Sequence, residues 1–106
     1  MRPATLAEMA SRQGVDVPAT SGYGSFREFS STYEAATRVL RAPEDLARVV
    51  DEVVEDAALA GAVWVEPSFY APHYTGRFGD DRDTVEIVLE ALAAAASRHG
   101  VGAGLM

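Results

Sequence analysis

PEDLARVVDEVVEDAALAG (43–61) runs directly into AVWVEPSF (62–69), and this passage from helix to strand decides the fold. Pro43 suits a first helical position, where its missing N–H costs nothing. Glu44 and Asp45 place negative charge in the first turn, where the helix dipole favours it. Leu46, Val49, Val50, Val53, Val54 and Ala57 fall on one broad face, with Asp51, Glu52, Glu55 and Asp56 mainly on the other. Gly61 closes the helix. The run that follows is short, contains β-branched and aromatic side chains, and sits between a helix and a loop, which predicts a strand.

Working outward toward the C-terminus, YAPHYTGRFGDDRD (70–83) reads as a polar loop. Asp83 or Thr84 is expected to start the next helix, with Val85, Val88, Leu89, Leu92 and Ala96 as its buried stripe. His99 and Gly100 make its end. VGAGLM (101–106) reads as the opening of a second strand. Two strands joined by a helix imply a parallel pair. Parallel sheets are normally larger and covered on both faces, so the chain reads as part of a larger sheet.

Toward the N-terminus, residues 3–13 predict a short helix with Leu6, Met9 and Ala10 on one face and Gly14 as its stop. VDVPATSGYG (15–24) is a loop. Ser25 with Glu28 forms a capping box, and a helix should run to about Leu40. Phe26, Phe29, Tyr33, Ala36 and Leu40 share one side of it. The expected organisation is a helical portion, 1–41, followed by an αβαβ portion, 42–106.

Bulk composition narrows the function classes. A chain of 106 residues has room for one small domain. Its net charge is −7, and its nine positive charges are all scattered arginines. That pattern argues against nucleic acid and against a membrane surface, both of which need clustered basic residues. No cysteine is present, which excludes disulfides and thiolate metal sites. The start carries no signal-peptide pattern, so a cytoplasmic setting is expected.

Four segments, in order, resemble the adenosine deaminase family. They are MRPATLAEMA (1–10), Ser25-Phe26-Arg27-Glu28-Phe29-Ser30-Ser31-Thr32-Tyr33, VLRAPEDL (39–46) and EDAALAGAVWVE (55–66). The resemblance implies a (β/α)8 TIM barrel of which this chain is a helix-rich, partial piece with two parallel strands. AVWVEPSF would be the second barrel strand and VGAGLM would begin the third, with the first strand lying just before Met1. The implied activity is zinc-dependent hydrolytic deamination of adenosine or a related aminopurine. The family's metal ligands and catalytic residues fall outside this chain, so no metal ligand and no catalytic residue is assigned within it. The fragment alone is expected to be inactive.

What the resemblance leaves here is a pocket wall. Phe26, Phe29 and Tyr33 correspond to the helix face that flanks the bound nucleoside, although i, i+3, i+7 spacing suits a core face equally well. Glu66, at the end of the strand, is a candidate for the barrel mouth. A buried carboxylate is costly unless paired, and a salt bridge to a neighbouring loop Arg or Lys is the simpler reading. Ser68 stands where the family has Arg, Pro67 intrudes after Glu66, and Pro72 is displaced by one, so adenine or another aminopurine is as open as adenosine. His99 reads as a dipole-compensating residue and His73 as a loop bystander; Asp80, Asp81 and Asp83 read as a solvated helix start. The alternative function is a non-catalytic α/β module that self-associates through exposed strand edges or binds a partner protein.

Overall fold

The structure, a computed structural model, describes residues 1–16 and 34–105. They belong to two compact units, Met1–Arg41 and Ala42–Met106.

In the first unit, α1 spans Pro3–Gln13, with Pro3 in its first turn. It stops at Gly14, whose φ of 70° is a left-handed conformation that glycine adopts without strain. Leu6, Met9 and Ala10 are buried as the spacing predicts, and Thr5 joins them. Residues 34–37 form a helical turn that ends short of Leu40. Val39 and Leu40 beyond it are buried. The Gln13 side-chain amide donates to the Val39 carbonyl at 2.6 Å, tying the end of α1 to this stretch. The Ser25 cap and the face formed by Phe26, Phe29 and Tyr33 lie outside the described residues.

In the second unit, α2 spans Pro43–Leu59 and α3 spans Asp81–His99, packed against each other. Ala42 has no side chain with which to cap α2, so Asp45 supplies the reciprocal half of the cap and accepts from the Ala42 N–H at 3.1 Å. Leu46, Val50 and Val54 are buried, and so is Glu52, against expectation. Its carboxylate accepts from Arg48 Nε at 3.3 Å, one turn earlier, which offsets the cost of covering it.

The start of α3 also differs from expectation. Asp80 is the N-cap: its carboxylate accepts from the Asp83 N–H at 2.8 Å, and Asp83 accepts from the Asp80 N–H at 3.2 Å. This reciprocal box begins the helix at Asp81 rather than at Asp83 or Thr84. The buried stripe is Thr84, Val88, Leu92 and Ala95. Leu89, expected inside, is 46% exposed, because one residue past Val88 turns it about 100° away from the line that meets α2.

The sheet is a parallel pair. β1, Trp64–Val65, lies beside β2, Gly102–Ala103, with Trp64 opposite Gly102 and Val65 opposite Ala103. The Gly102 N–H donates to the Val63 carbonyl at 2.9 Å, and the Gly104 N–H to the Val65 carbonyl at 3.1 Å. β1 is shorter than the expected 62–69. Pro67 has no N–H to offer a ladder, and it follows Val65 closely. The expected loop 70–83 contains a 3-10 helix, Ala71–Tyr74, which packs against α3.

Candidate functional site

In parallel α/β sheets, ligands gather beyond the carboxyl ends of the strands. At this end of β1 stands Glu66. It is exposed, and its partner is the indole of Trp64 rather than an arginine: Trp64 Nε1 donates to Glu66 Oε1 at 2.8 Å. The two side chains share a face because strand residues two apart point the same way. The indole reaches across to β2. A Cβ on Gly102 would stand 2.3 Å from Trp64 Cε3, and one on Gly104 would stand 3.4 Å from Cζ2. The two glycines therefore form the floor on which the ring lies. Trp64 is nevertheless 57% exposed, so its outer side is open.

The segment from Glu66 to Asp80 continues from the same end. Tyr74 is 7% exposed and lies between Phe69 (centroids 5.3 Å apart, stacked) and Phe78 (5.8 Å), with the Arg77 guanidinium 5.1 Å from its ring centre. His73 is exposed, with its ring edge-on to Tyr70 at 5.0 Å. The acidic run is spent on structure: Asp80 and Asp83 cap α3, and the Asp81 carboxylate lies 3.2 Å from the Thr75 hydroxyl, whose one proton it shares with the Pro72 carbonyl at 3.0 Å.

His99 does more than balance a helix dipole. Its Nε2 lies 3.0 Å from Asp51 Oδ1 on α2, and the Arg98 guanidinium pairs with the same oxygen. Glu55, one turn after Asp51, completes a group whose ligand atoms all lie within 4.8 Å of one another. Among the described residues this is the arrangement that could close on a metal ion. It does not fit a catalytic metal. Arg98 already supplies a cation to Asp51, and His99 precedes β2, at the amino end of the strands, opposite Glu66. Sequence reasoning missed this pairing. The i, i+4 carboxylates of α2 are visible in the sequence, but nothing there points to a histidine 48 residues away.

The family model for adenosine deaminase matches residues 1–106. A Streptomyces virginiae protein assigned as an adenosine/adenine deaminase is 37% identical, with 96% of this chain and 33% of that protein covered. A Streptomyces coelicolor protein with the same assignment is 33% identical, covering 96% and 34%. Among solved structures, the adenine deaminase of Arthrobacter aurescens superposes with a TM-score of 0.79 at 23% identity, over 98% of this chain and 34% of that one. That likeness shows the fold: the chain has the architecture of one part of a (β/α)8 barrel. It spans about a third of the length of the relatives it matches.

Proposed function

This chain belongs to the adenosine deaminase family, and from that premise we propose that it is the early-barrel portion of a hydrolytic deaminase acting on an aminopurine, adenosine or adenine. The reaction replaces the exocyclic amine with oxygen from water and releases ammonia. The observation that carries the reading is the family match over all of residues 1–106. The substrate reading is supported by relatives assigned to both adenosine and adenine.

Within this reading, Phe26, Phe29 and Tyr33 form an apolar wall beside the base. Glu66, held by Trp64, stands at the mouth as an acceptor for an N–H of the ligand. Zinc is the metal the resemblance implies. It would make a nucleophile of water at neutral pH. As the resemblance implies, we place its ligands in other parts of the enzyme.

The test is ammonia release from adenosine and from adenine by the longest natural protein that carries these residues. Activity on at least one substrate is expected, lost on chelation and regained with zinc. The 106-residue chain alone should release none, even with zinc added. Activity from the chain alone would overturn the placing of the metal site elsewhere, and an inactive long protein would overturn the deaminase reading. A second reading, self-association, has one observation behind it: Leu59, Val63 and Trp64 are 80%, 84% and 57% exposed beside or within β1. Size-exclusion chromatography of the chain across a dilution series decides it, a constant monomer counting against.

A further inference from the structure

The 3-10 helix between β1 and α3 buries one edge. Side chains three apart eclipse in such a helix. Ala71 and Tyr74 form one edge and are 8% and 7% exposed. Tyr70, the extended residue just before the helix, and His73 within it lie off that edge; Tyr70 is 63% exposed and His73 is exposed as well. The buried edge is well anchored. Tyr74 is packed by Phe69, Phe78 and Arg77, and the Thr75 hydroxyl donates to the Pro72 carbonyl at 3.0 Å. Pro72 fixes its own backbone torsion within the turn. The exposed pair is thus carried on a rigid support, and the Tyr70 and His73 rings hold each other edge to face at 5.0 Å.

We propose that Tyr70 and His73 are substrate-contacting residues that recognise the purine base. The inference rests on the aminopurine deaminase reading and deepens it. Three features favour a base as the ligand. The pair lies in the segment that leaves the carboxyl end of β1, the side on which barrel active sites are built. A phenol ring offers a flat apolar surface for stacking, and an imidazole adds a nitrogen that can donate to or accept from a purine ring atom. The fixed mutual geometry means that little side-chain freedom is lost on binding. Neither residue takes part in bond making or breaking; both act on binding. Because they read the base and not the sugar, they treat adenine and adenosine alike.

The test is steady-state kinetics of the longest natural protein carrying these residues, with Tyr70→Ala, Tyr70→Phe and His73→Ala measured on both substrates. Loss of a base-stacking ring weakens binding roughly tenfold. Tyr70→Ala and His73→Ala should therefore each raise KM about tenfold with kcat changed far less, and by the same factor for whichever of the two substrates is turned over. Tyr70→Phe, which keeps the ring, should hold KM near the parent value. Should Tyr70→Ala fail to fold, as judged by its melting curve, His73→Ala and Tyr70→Phe carry the test. An active parent whose KM moves less than twofold in His73→Ala and Tyr70→Ala overturns this inference and leaves the deaminase reading standing. So does a fall in kcat at constant KM. A parent inactive on both purines overturns the deaminase reading itself, and this inference with it.

Discussion

Gly102→Ala tests the packing of Trp64 on β2 most directly. The added Cβ would stand 2.3 Å from Trp64 Cε3 and 2.7 Å from Cζ3, closer than carbon atoms approach. Gly102 lies in the paired strand, and its N–H is held by the Val63 carbonyl at 2.9 Å, so the backbone gives way less readily than the ring. The indole must therefore leave its place over the two glycines and break its 2.8 Å bond to Glu66. With 57% of Trp64 exposed, the covered part of the side chain is about 100 Å². At about 25 cal/mol per Å², exposing it costs about 2.5 kcal/mol as an upper bound. Alanine's smaller unfolded-state entropy returns about 0.5 kcal/mol, leaving a net loss of about 2 kcal/mol. For a domain of this size that is a fall in melting temperature of roughly 8–16 °C.

Trp64 is the sole tryptophan, so its fluorescence reports the same event without interference. Gly102→Ala should shift the emission to the red, as the indole gains water, and lower the melting temperature. In a Trp64→Ala background the same glycine substitution should cost almost nothing, since the clash has gone. A Gly102→Ala chain with unchanged emission and stability would refute the argument. So would an equal loss in both backgrounds, since the cost would then come from the strand backbone and not from the ring.

Substitutions at four other positions bear on the fold. Asp80→Ala removes the cap on Asp83 N–H and should cost about 1 kcal/mol by thermal melting, while Asp80→Asn keeps most of it. Met9→Ala, at a residue with no exposure, should cost about 3 kcal/mol in urea denaturation, with the slope unchanged. Asp51→Asn weakens the tie to His99 and Arg98. Because the Arg98 side chain is 59% exposed, the loss should stay below about 1 kcal/mol in the melting curve. Val54→Ala, on the buried side of α2, should cost about 2 kcal/mol and leave Trp64 emission unchanged.

The helices of the second unit were legible because their signal is local. Leu46, Val50 and Val54 recur at one helical turn, and Pro43, Gly61 and Gly100 punctuate the ends. What escaped was finer. Asp83 reads as a first helical residue until its side chain is seen closing a box with Asp80, a role in which a glutamate is the more familiar residue. Leu89 belongs to the apolar pattern by composition, but a helix pressed against one neighbour buries a narrow line, and Leu89 falls beside it. Glu52 reads as a solvent residue because its burial depends on what surrounds α2, not on its own chemistry.

The site was less legible, since its parts meet across the chain. Glu66 could be picked out as a carboxylate at a strand end, but its expected arginine partner proved to be Trp64, two residues back on the same strand face. The histidine at the end of α3 joins Asp51 through helix packing that no local motif encodes. Gly102 and Gly104 are the instructive case. Glycine weakens a strand, so VGAGLM taken alone is a poor strand sequence. In register with β1, the two glycines are the positions over which the Trp64 ring lies. A glycine, one residue, and another glycine beside an aromatic strand is thus the imprint of a side chain on the neighbouring strand. The open outer side of that indole ends at Glu66, from which the chain runs on to Tyr70 and His73. The residues that look weakest as a strand are the ones that let an aromatic surface form at this end of the sheet.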